Sequence, residues 1–503
     1  MFKNHFLSCF SIIIGSLVGW LSKEGQPFFF AFLAMVSLPL GLWFLLKQQD
    51  WKRLFFASAG YFFAQNSWMI ALKNPPEFPF LAGFGFCLAL FFSCWIASQI
   101  FLAAKVAFRG SGQGASITVF EVLLFICLVT LFEWHRQWFF SGYTFYTISS
   151  ILLKHSYLTR CFSYVGVFGA TFLFLAATLF PLFFPKKVIS YMGALVFLGM
   201  GVIPSKINKQ KTAKIALYQT NFDPWTNFEA NPDPIDVQKS ALIKMLDEIE
   251  GVDCLILSET SIPGRYFEGE IQESILAQSK QKNIDILVGH FTPLDEEKES
   301  FHNSVSLVHQ GKVVGRYDKM RLVSFMESRW EFLPKSILEA LETTNFIAGK
   351  KKNILTGKFR YGIHICYDDY FGADHHDFIL EKADLIASLH NDVWIEDRTF
   401  KWNHFNQTIL RAVEGGIPVV RGANGGFVGY ALPSGVYTME EPRGKLEEKL
   451  HIFDVDLDQL VTWYPVLQDR FVVIFALFWL IVCFLKRLLV RGEREEEIDE
   501  KAL

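Results

Sequence analysis

The chain has 503 residues, more than one ordinary hydrophobic core accommodates. It is 51% hydrophobic with 53 phenylalanines, yet 20% of its residues are charged, which points to membrane and soluble portions in one chain. A formal net charge of −3 without a single-signed basic block sets aside the nucleic-acid-binding class.

Residues 6–22, 27–46, 54–72, 79–104, 117–138, 163–184 and 188–204 are apolar runs of about the 17–25 residues that cross a bilayer core as a helix. An eighth covers 471–489. Lys3 precedes the first run as in a signal peptide, but no small-x-small cleavage site follows, so it reads as a retained helix. The predicted organisation is a membrane domain of seven transmembrane helices over 1–205, an inserted domain over 206–470, and a C-terminal transmembrane helix with its tail over 471–503. Lys3, Lys47, Lys52, Arg53, Lys105, Arg109, Lys186, Lys187, Lys486 and Arg487 fall on one side of the alternating loops. Positive residues are retained in the cytoplasm, so both termini are expected there and the insert in the periplasm. Glu133 and Arg136 share a helix face near the outer end of the fifth run. An interfacial ion pair and a substrate-binding pair, with Arg136 on a headgroup phosphate, are equally compatible with that placement.

Beyond residue 206 short β-type runs alternate with helical stretches. Strands are predicted at KIALYQ, DCLILSE, DILVGH, NSVSLVH, KVVGRYDK, RYGIHI, ADLIASL, IPVVRGAN, GFVGYAL and HIFDVDL, with helices near 235–249, 270–282 and 397–415. The fold class expected is an α/β sandwich with two sheet layers between two helical layers, inserted in an α-helical membrane domain. In RYGIHI, Tyr361, Ile363 and Ile365 alternate with Arg360, Gly362 and His364, the pattern of a half-buried strand.

Five of the eight cysteines (Cys9, Cys87, Cys94, Cys127, Cys483) lie inside apolar runs and Cys161 just before one. Cys254 sits in a strand, so no disulfide framework or C-x-x-C metal site is present. Cys366 differs, because it ends a strand and precedes Tyr367, Asp368 and Asp369 at a turn. Glu259 after CLILS and Lys319 after VVGRYD also fall at strand ends. Together they supply a nucleophile, a base and a cation. A thiol is mostly protonated at neutral pH, so a carboxylate in reach takes its proton as it attacks a carbonyl. A fixed ammonium plus the N–H of Tyr367 then stabilises the negative oxygen of the tetrahedral intermediate. His375, His376 and Asp377 form no convincing metal set, since adjacent histidines project apart, and no phosphate-binding glycine loop or dinucleotide fingerprint occurs. No metal and no cofactor are expected. His404, Arg411 and Glu414 read as one packed helix face.

SETSIP, RYDKMRLVSFME, ICYD, HNDVW and HFNQTILRAVEGGIPVVRGANGG resemble the nitrilase, or carbon–nitrogen hydrolase, superfamily. With VTLFEWHRQWFFSG and YVGVFGATFL in the membrane part, the whole chain resembles the apolipoprotein N-acyltransferase family of the bacterial inner membrane. The resemblance implies Glu259, Lys319 and Cys366 as catalytic triad, Glu327 orienting Lys319, Tyr367 and Asp368 in support, and Trp225 as a functional tryptophan. Asp368 stands where the family usually has Glu, and Ser324 and Met326 replace a Pro and a Gly. The implied partners are a phospholipid acyl donor, an apolipoprotein acceptor and membrane lipids. Aromatic residues near Trp394 are expected to exclude water. A membrane-bound amidase and a transporter or lipid-binding protein with an inactive outer domain are the alternatives. Uninterrupted spans and the retained triad residues speak against the transporter.

Overall fold

The computed structural model describes residues 2–23, 28–72, 81–109, 116–139, 142–202, 207–208, 211–220, 234–262, 266–295, 300–323, 327, 346–441 and 448–502. The first seven apolar runs carry α1 (Phe2–Leu21), α2 (Phe28–Gln48), α3 (Trp51–Asn66), α4 (Leu81–Ala107), α5 (Val119–His135), α6 (Phe162–Phe183) and α7 (Met192–Val202). Small residues let α1 and α3 approach closely. A Cβ at Gly15 or Gly19 would collide with the carbonyls of Ala57 and Tyr61, and one at Gly60 with that of Ile12. A capping box, Thr118 with Glu121, starts α5. Among the described residues, Gly83–Ala107, Phe162–Phe183 and Tyr464–Val482 are long and apolar enough to cross a membrane, and Leu7–Leu21, Phe32–Gln48 and Val188–Gly201 are shorter apolar helices.

Two runs depart from the single helices expected. Helix α3 stops at Asn66 and continues as a 3-10 turn over Ser67–Ala71. The 188–204 run divides into a 3-10 turn at Val188–Tyr191 and an α7 of 11 residues. At 1.5 Å per residue that helix spans roughly half of a bilayer core of about 30 Å.

The domain that follows residue 206 has two six-stranded sheets. The short strand β1 (Ile207–Asn208) leads into the first sheet: β2 (Thr212–Gln219), β3 (Cys254–Leu257), β4 (Asp285–Asp295), β5 (Ser300–His309) and β6 (Lys312–Asp318). The second holds β7 (Leu355–Thr356), β8 (Arg360–Ile365), β9 (Leu385–Asn391), β10 (Val419–Asn424), β11 (Val428–Ala431) and β12 (Tyr437–Glu440) in sequence order. Strand β13 (Lys449–Asp456) returns to pair with β2, and β14 (Gln459–Leu460) pairs with β1. Strands β2, β3 and β4 are parallel, as are β8, β9 and β10.

Strand periodicity sorts the layers. Along β2, Ile215 and Leu217 face the second sheet's Ile363 and Ile365 in one core, while Ala216 and Tyr218 face outward. That outer face is covered by α8 (Pro234–Glu248) and α9 (Gly269–Lys282) through Leu242, Leu246, Ile271 and Ile275. The second sheet is covered by α10 (Gly372–Leu380) and α11 (Arg398–Gly415). The chain ends in α12 (Tyr464–Ala502), which packs on α5 and α6 and breaks at Gln468. Strand β8 is not half-buried as its alternation implied: Tyr361 to Ile365 are all buried. A second sheet covers one of its faces and α10 with its neighbours the other, so His364 and Gly362 also point into protein.

Candidate active site

Glu259 lies two residues past β3, where Thr260 turns the chain with φ of +48°. The neighbouring strand approaches so closely that a Cβ at Gly289 would sit 3.0 Å from the Glu259 Cα and collide with the Ser258 carbonyl. Only glycine leaves the Glu259 turn its place. Asn303, on β5, donates its amide to Glu259 Oε1 at 2.7 Å. Lys319 follows β6 and is clamped through its backbone: its N–H donates to the Asn303 carbonyl at 2.8 Å, and its own carbonyl accepts from Gly349 at 2.7 Å. Its Nζ stands 2.7 Å from Glu327 Oε1 and 3.4 Å from Glu259 Oε1, with 1% of the side chain exposed. The second oxygen of Glu327 accepts from the Val323 N–H at 2.8 Å. Burial opposes the Lys319 charge, but Glu327 and Glu259 outweigh it and hold the ammonium well above its ordinary range. Burial and the charge of Glu327 raise Glu259 despite Lys319 and Asn303.

Cys366 opens a 3-10 turn over Cys366–Tyr370 and holds φ of +50°. A cysteine in this left-handed region costs about 1–3 kcal/mol, so surrounding contacts must hold it there. Burial first, then Glu259, push its thiol well up, while Lys319 pulls it down. A buried thiol raised in this way lies within the electrostatic reach of a carboxylate and an ammonium. Asp368 supports the turn from below. It accepts from the Arg321 N–H at 2.8 Å, the Ile365 N–H at 3.1 Å and the Tyr317 hydroxyl at 3.0 Å, tying β8 to the segment after Lys319. Burial pushes its carboxyl up to about 6 against His364 and Lys319.

The turn also meets the membrane domain. The Tyr367 hydroxyl donates to the Gly142 carbonyl, and its ring stacks on Phe145 with centroids 5.4 Å apart. Gly142 has φ of +89°, and a Cβ there would strike the Phe371 ring. Phe145 continues to Tyr370 at 4.4 Å, and Phe400 joins Trp68 at 4.4 Å and Trp394 at 6.0 Å. The Trp394 indole donates to the Asn391 carbonyl at 2.7 Å. Trp225, Ser324 and Met326 lie outside the described residues.

Glu133 and Arg136 pair with each other, and the Arg136 carbonyl accepts from the Tyr143 N–H at 2.8 Å. Glu133 accepts from the Ile148 N–H and the Thr171 hydroxyl, each at 2.7 Å, and Arg136 Nη2 lies 3.1 Å from it. The adjoining cavity is about 10 Å³, room for one water at most, so the pair ties α5 to its neighbours. His376 engages Pro465 and Gln468, so its ring is committed to the start of α12. Cys366, His390 and His404 bring a sulfur and two ring nitrogens within 4.8 Å of one another. His390 Nε2 is already 2.6 Å from Ser388, 3.0 Å from Asp369 and 2.8 Å from the Arg421 guanidinium, which would repel a cation. Asn303, Asp392, His404 and Arg421 are the polar residues here to which the sequence alone assigns no task. The signal available was polar side chains within or beside apolar stretches: Asn303 and Arg421 in strands, Asp392 just past one and His404 on α11.

Residues 214–463 match the carbon-nitrogen hydrolase family, and residues 18–179 match the apolipoprotein N-acyltransferase N-terminal domain. Apolipoprotein N-acyltransferase 1 of Treponema denticola is 23% identical over 522 residues, covering 90% of this chain and 91% of that one. The apolipoprotein N-acyltransferase of Haemophilus influenzae is 24% identical over 483 residues, 88% of each chain. The crystal structure of an amidase from Nesterenkonia sp. aligns with a TM-score of 0.37 and 15% identity, over 52% of this chain and 97% of that one. The two family matches lie side by side and together with the nearly full-length relatives cover most of the sequence: the chain belongs to the apolipoprotein N-acyltransferase family.

Proposed function

We propose that this protein moves a fatty acyl chain from a phospholipid, through a thioester on Cys366, to the N-terminal amine of the lipidated cysteine of an apolipoprotein. The observation that carries the reading is the buried Glu259–Lys319–Glu327 cluster at Cys366, on a turn whose Tyr367 packs against the membrane domain. As the Cys366 sulfur attacks an ester carbonyl, Glu259 takes the thiol proton. Lys319 and the Tyr367 N–H stabilise the resulting oxyanion. Collapse breaks the ester bond, and Glu259 returns the proton to the departing lyso-lipid oxygen. The amine then attacks the thioester, gives its proton to Glu259, and expels the Cys366 sulfur, which regains that proton. Glu327 orients Lys319 and Asp368 holds the turn. The aromatic seam of Phe145, Tyr370, Phe400 and Trp394 excludes water, the competing nucleophile.

The alternation of Lys and Arg between the loops supports eight spans, seven before the insert and one after it, with the catalytic domain in the periplasm and both termini in the cytoplasm, an arrangement in which this turn would lie at the outer bilayer surface. The test is incubation with phospholipid alone, followed by mass analysis of the Cys366 peptide. An acyl increment that hydroxylamine removes is expected, absent in Cys366→Ala and in Glu259→Gln. Acyl transfer by Cys366→Ala at the wild-type rate would overturn the covalent route. Steady release of free fatty acid without an amine acceptor would replace the transferase by a hydrolase.

A further inference from the structure

Directly under Cys366 lies a buried polar cluster to which the chemistry above assigns no task. His404 is fixed on α11, a helix whose N-cap Asp397 accepts from the Phe400 N–H at 2.7 Å and whose end turns at Gly416 with φ of +70°. Its ring is 1% exposed and is enclosed by Tyr370, Phe400 and His390, with centroids at 5.5, 5.5 and 4.3 Å. Nδ1 stands 2.8 Å from Asp392 Oδ1. The other Asp392 oxygen accepts from Arg421 Nη2 at 2.7 Å. Nε2 points the opposite way, 3.5 Å from the carbonyl oxygen of Cys366.

We infer that His404, held by Asp392, is a positioning residue for the nucleophile: its Nε2–H donates to the Cys366 carbonyl and keeps that residue in the left-handed conformation that aims its sulfur at the acyl carbon. The inference rests on the reading of Cys366 as nucleophile. Both neighbours of the ring are acceptors, a carboxylate and a carbonyl, so donating to both takes the doubly protonated imidazolium, whose charge Asp392 balances. Asp392 is held ionised against its burial by His404 and Arg421. An ionised Asp392 has no proton to give, which fixes the direction of its bond to Nδ1. Arg421 extends to His390, and His390 to Asp369, which also accepts from His364 at 2.6 Å. The cluster thus braces both sides of the Cys366 turn, since Asp369 lies within that turn and His404 beneath its first residue. Left-handed cysteine has no intrinsic preference for this geometry, and a donor on its carbonyl supplies one.

Two substitutions separate positioning from packing in the full-length protein reconstituted in phospholipid bilayers. His404→Asn puts an amide where Nδ1 was and keeps a donor for Asp392, but is too short to reach Cys366. His404→Gln puts its amide where Nε2 was and keeps that reach. A misplacement of the nucleophile by 1 Å can cost about 10²-fold in rate. Acyl-enzyme formation in His404→Asn is therefore expected to slow by about that factor with the KM for phospholipid unchanged, and His404→Gln to recover most of it. Equal rates for the two variants, a loss confined to KM, or a wild-type rate for His404→Asn would each overturn the inference. Cys366→Ala in the same assay separates the two proposals: acylation there removes the nucleophile itself, whereas its absence leaves the His404 comparison decisive.

Discussion

Replacing Asp368 by Asn should disable the enzyme while leaving its stability nearly unchanged. Asp368 is fully buried and its carboxyl is raised from 3.8 to about 6, with burial as the largest cause. Two pH units correspond to about 3 kcal/mol, and the sign follows from linkage. The folded state binds this proton more tightly than the unfolded chain, so the stabilisation is complete below about pH 4 and lost as pH rises through about 6. At pH 7 the ionised group thus costs the fold about 3 kcal/mol, a cost that Asn removes. Against that gain, Asn keeps one acceptor oxygen. If it serves the Ile365 N–H and Tyr317 hydroxyl, its amide confronts the Arg321 N–H, donor against donor. Losing a hydrogen bond to a charged acceptor costs about 1.5–3 kcal/mol, so the two effects cancel to within about 1.5 kcal/mol. Activity does not share in the cancellation, because Arg321 is two residues from Lys319 and its displacement moves the oxyanion donor. A fall of about 10²-fold in acyl-enzyme formation is expected, and thermal unfolding at pH 4 to 7 should show the difference between the proteins changing with pH. Unchanged activity in Asp368→Asn would refute the reasoning, as would a loss of 3 kcal/mol or more at pH 7.

Asn303→Leu removes the donor 2.7 Å from Glu259, raising that carboxyl further, so the acid limb of kcat/KM against pH should move upward by about one unit. An unmoved limb would show that Asn303 does not tune the base. A reporter fused after residue 495 should be active only in its cytoplasmic form, and activity only in the periplasmic form would rule out eight spans.

The local pattern of this sequence determines most of its elements. Short apolar runs such as Lys214–Gln219 and Asp285–His290 become strands because successive side chains point to opposite faces and each face has a packed layer to enter. Long apolar stretches such as 79–104 become helices because a backbone in lipid must satisfy its own hydrogen bonds. Glu259, Lys319 and Cys366 are also visible as charged or reactive residues at strand ends. What joins them is tertiary. Lys319 and Cys366 lie 60 and 107 positions beyond Glu259 in sequence; strand order within the first sheet brings Glu259 to Lys319, and the facing of the two sheets brings Lys319 to bear on Cys366. Alternation in β8 reports side-chain direction but not what covers each face, so burial of Gly362 and His364 could not be read from it. The same limit hides Asn303, Asp392, His404 and Arg421, ordinary polar residues until packing strips them of water. Arg136 shows the reverse case: sequence marks it as unusual inside an apolar run, while only packing shows that it is buried and lies 3.1 Å from Glu133.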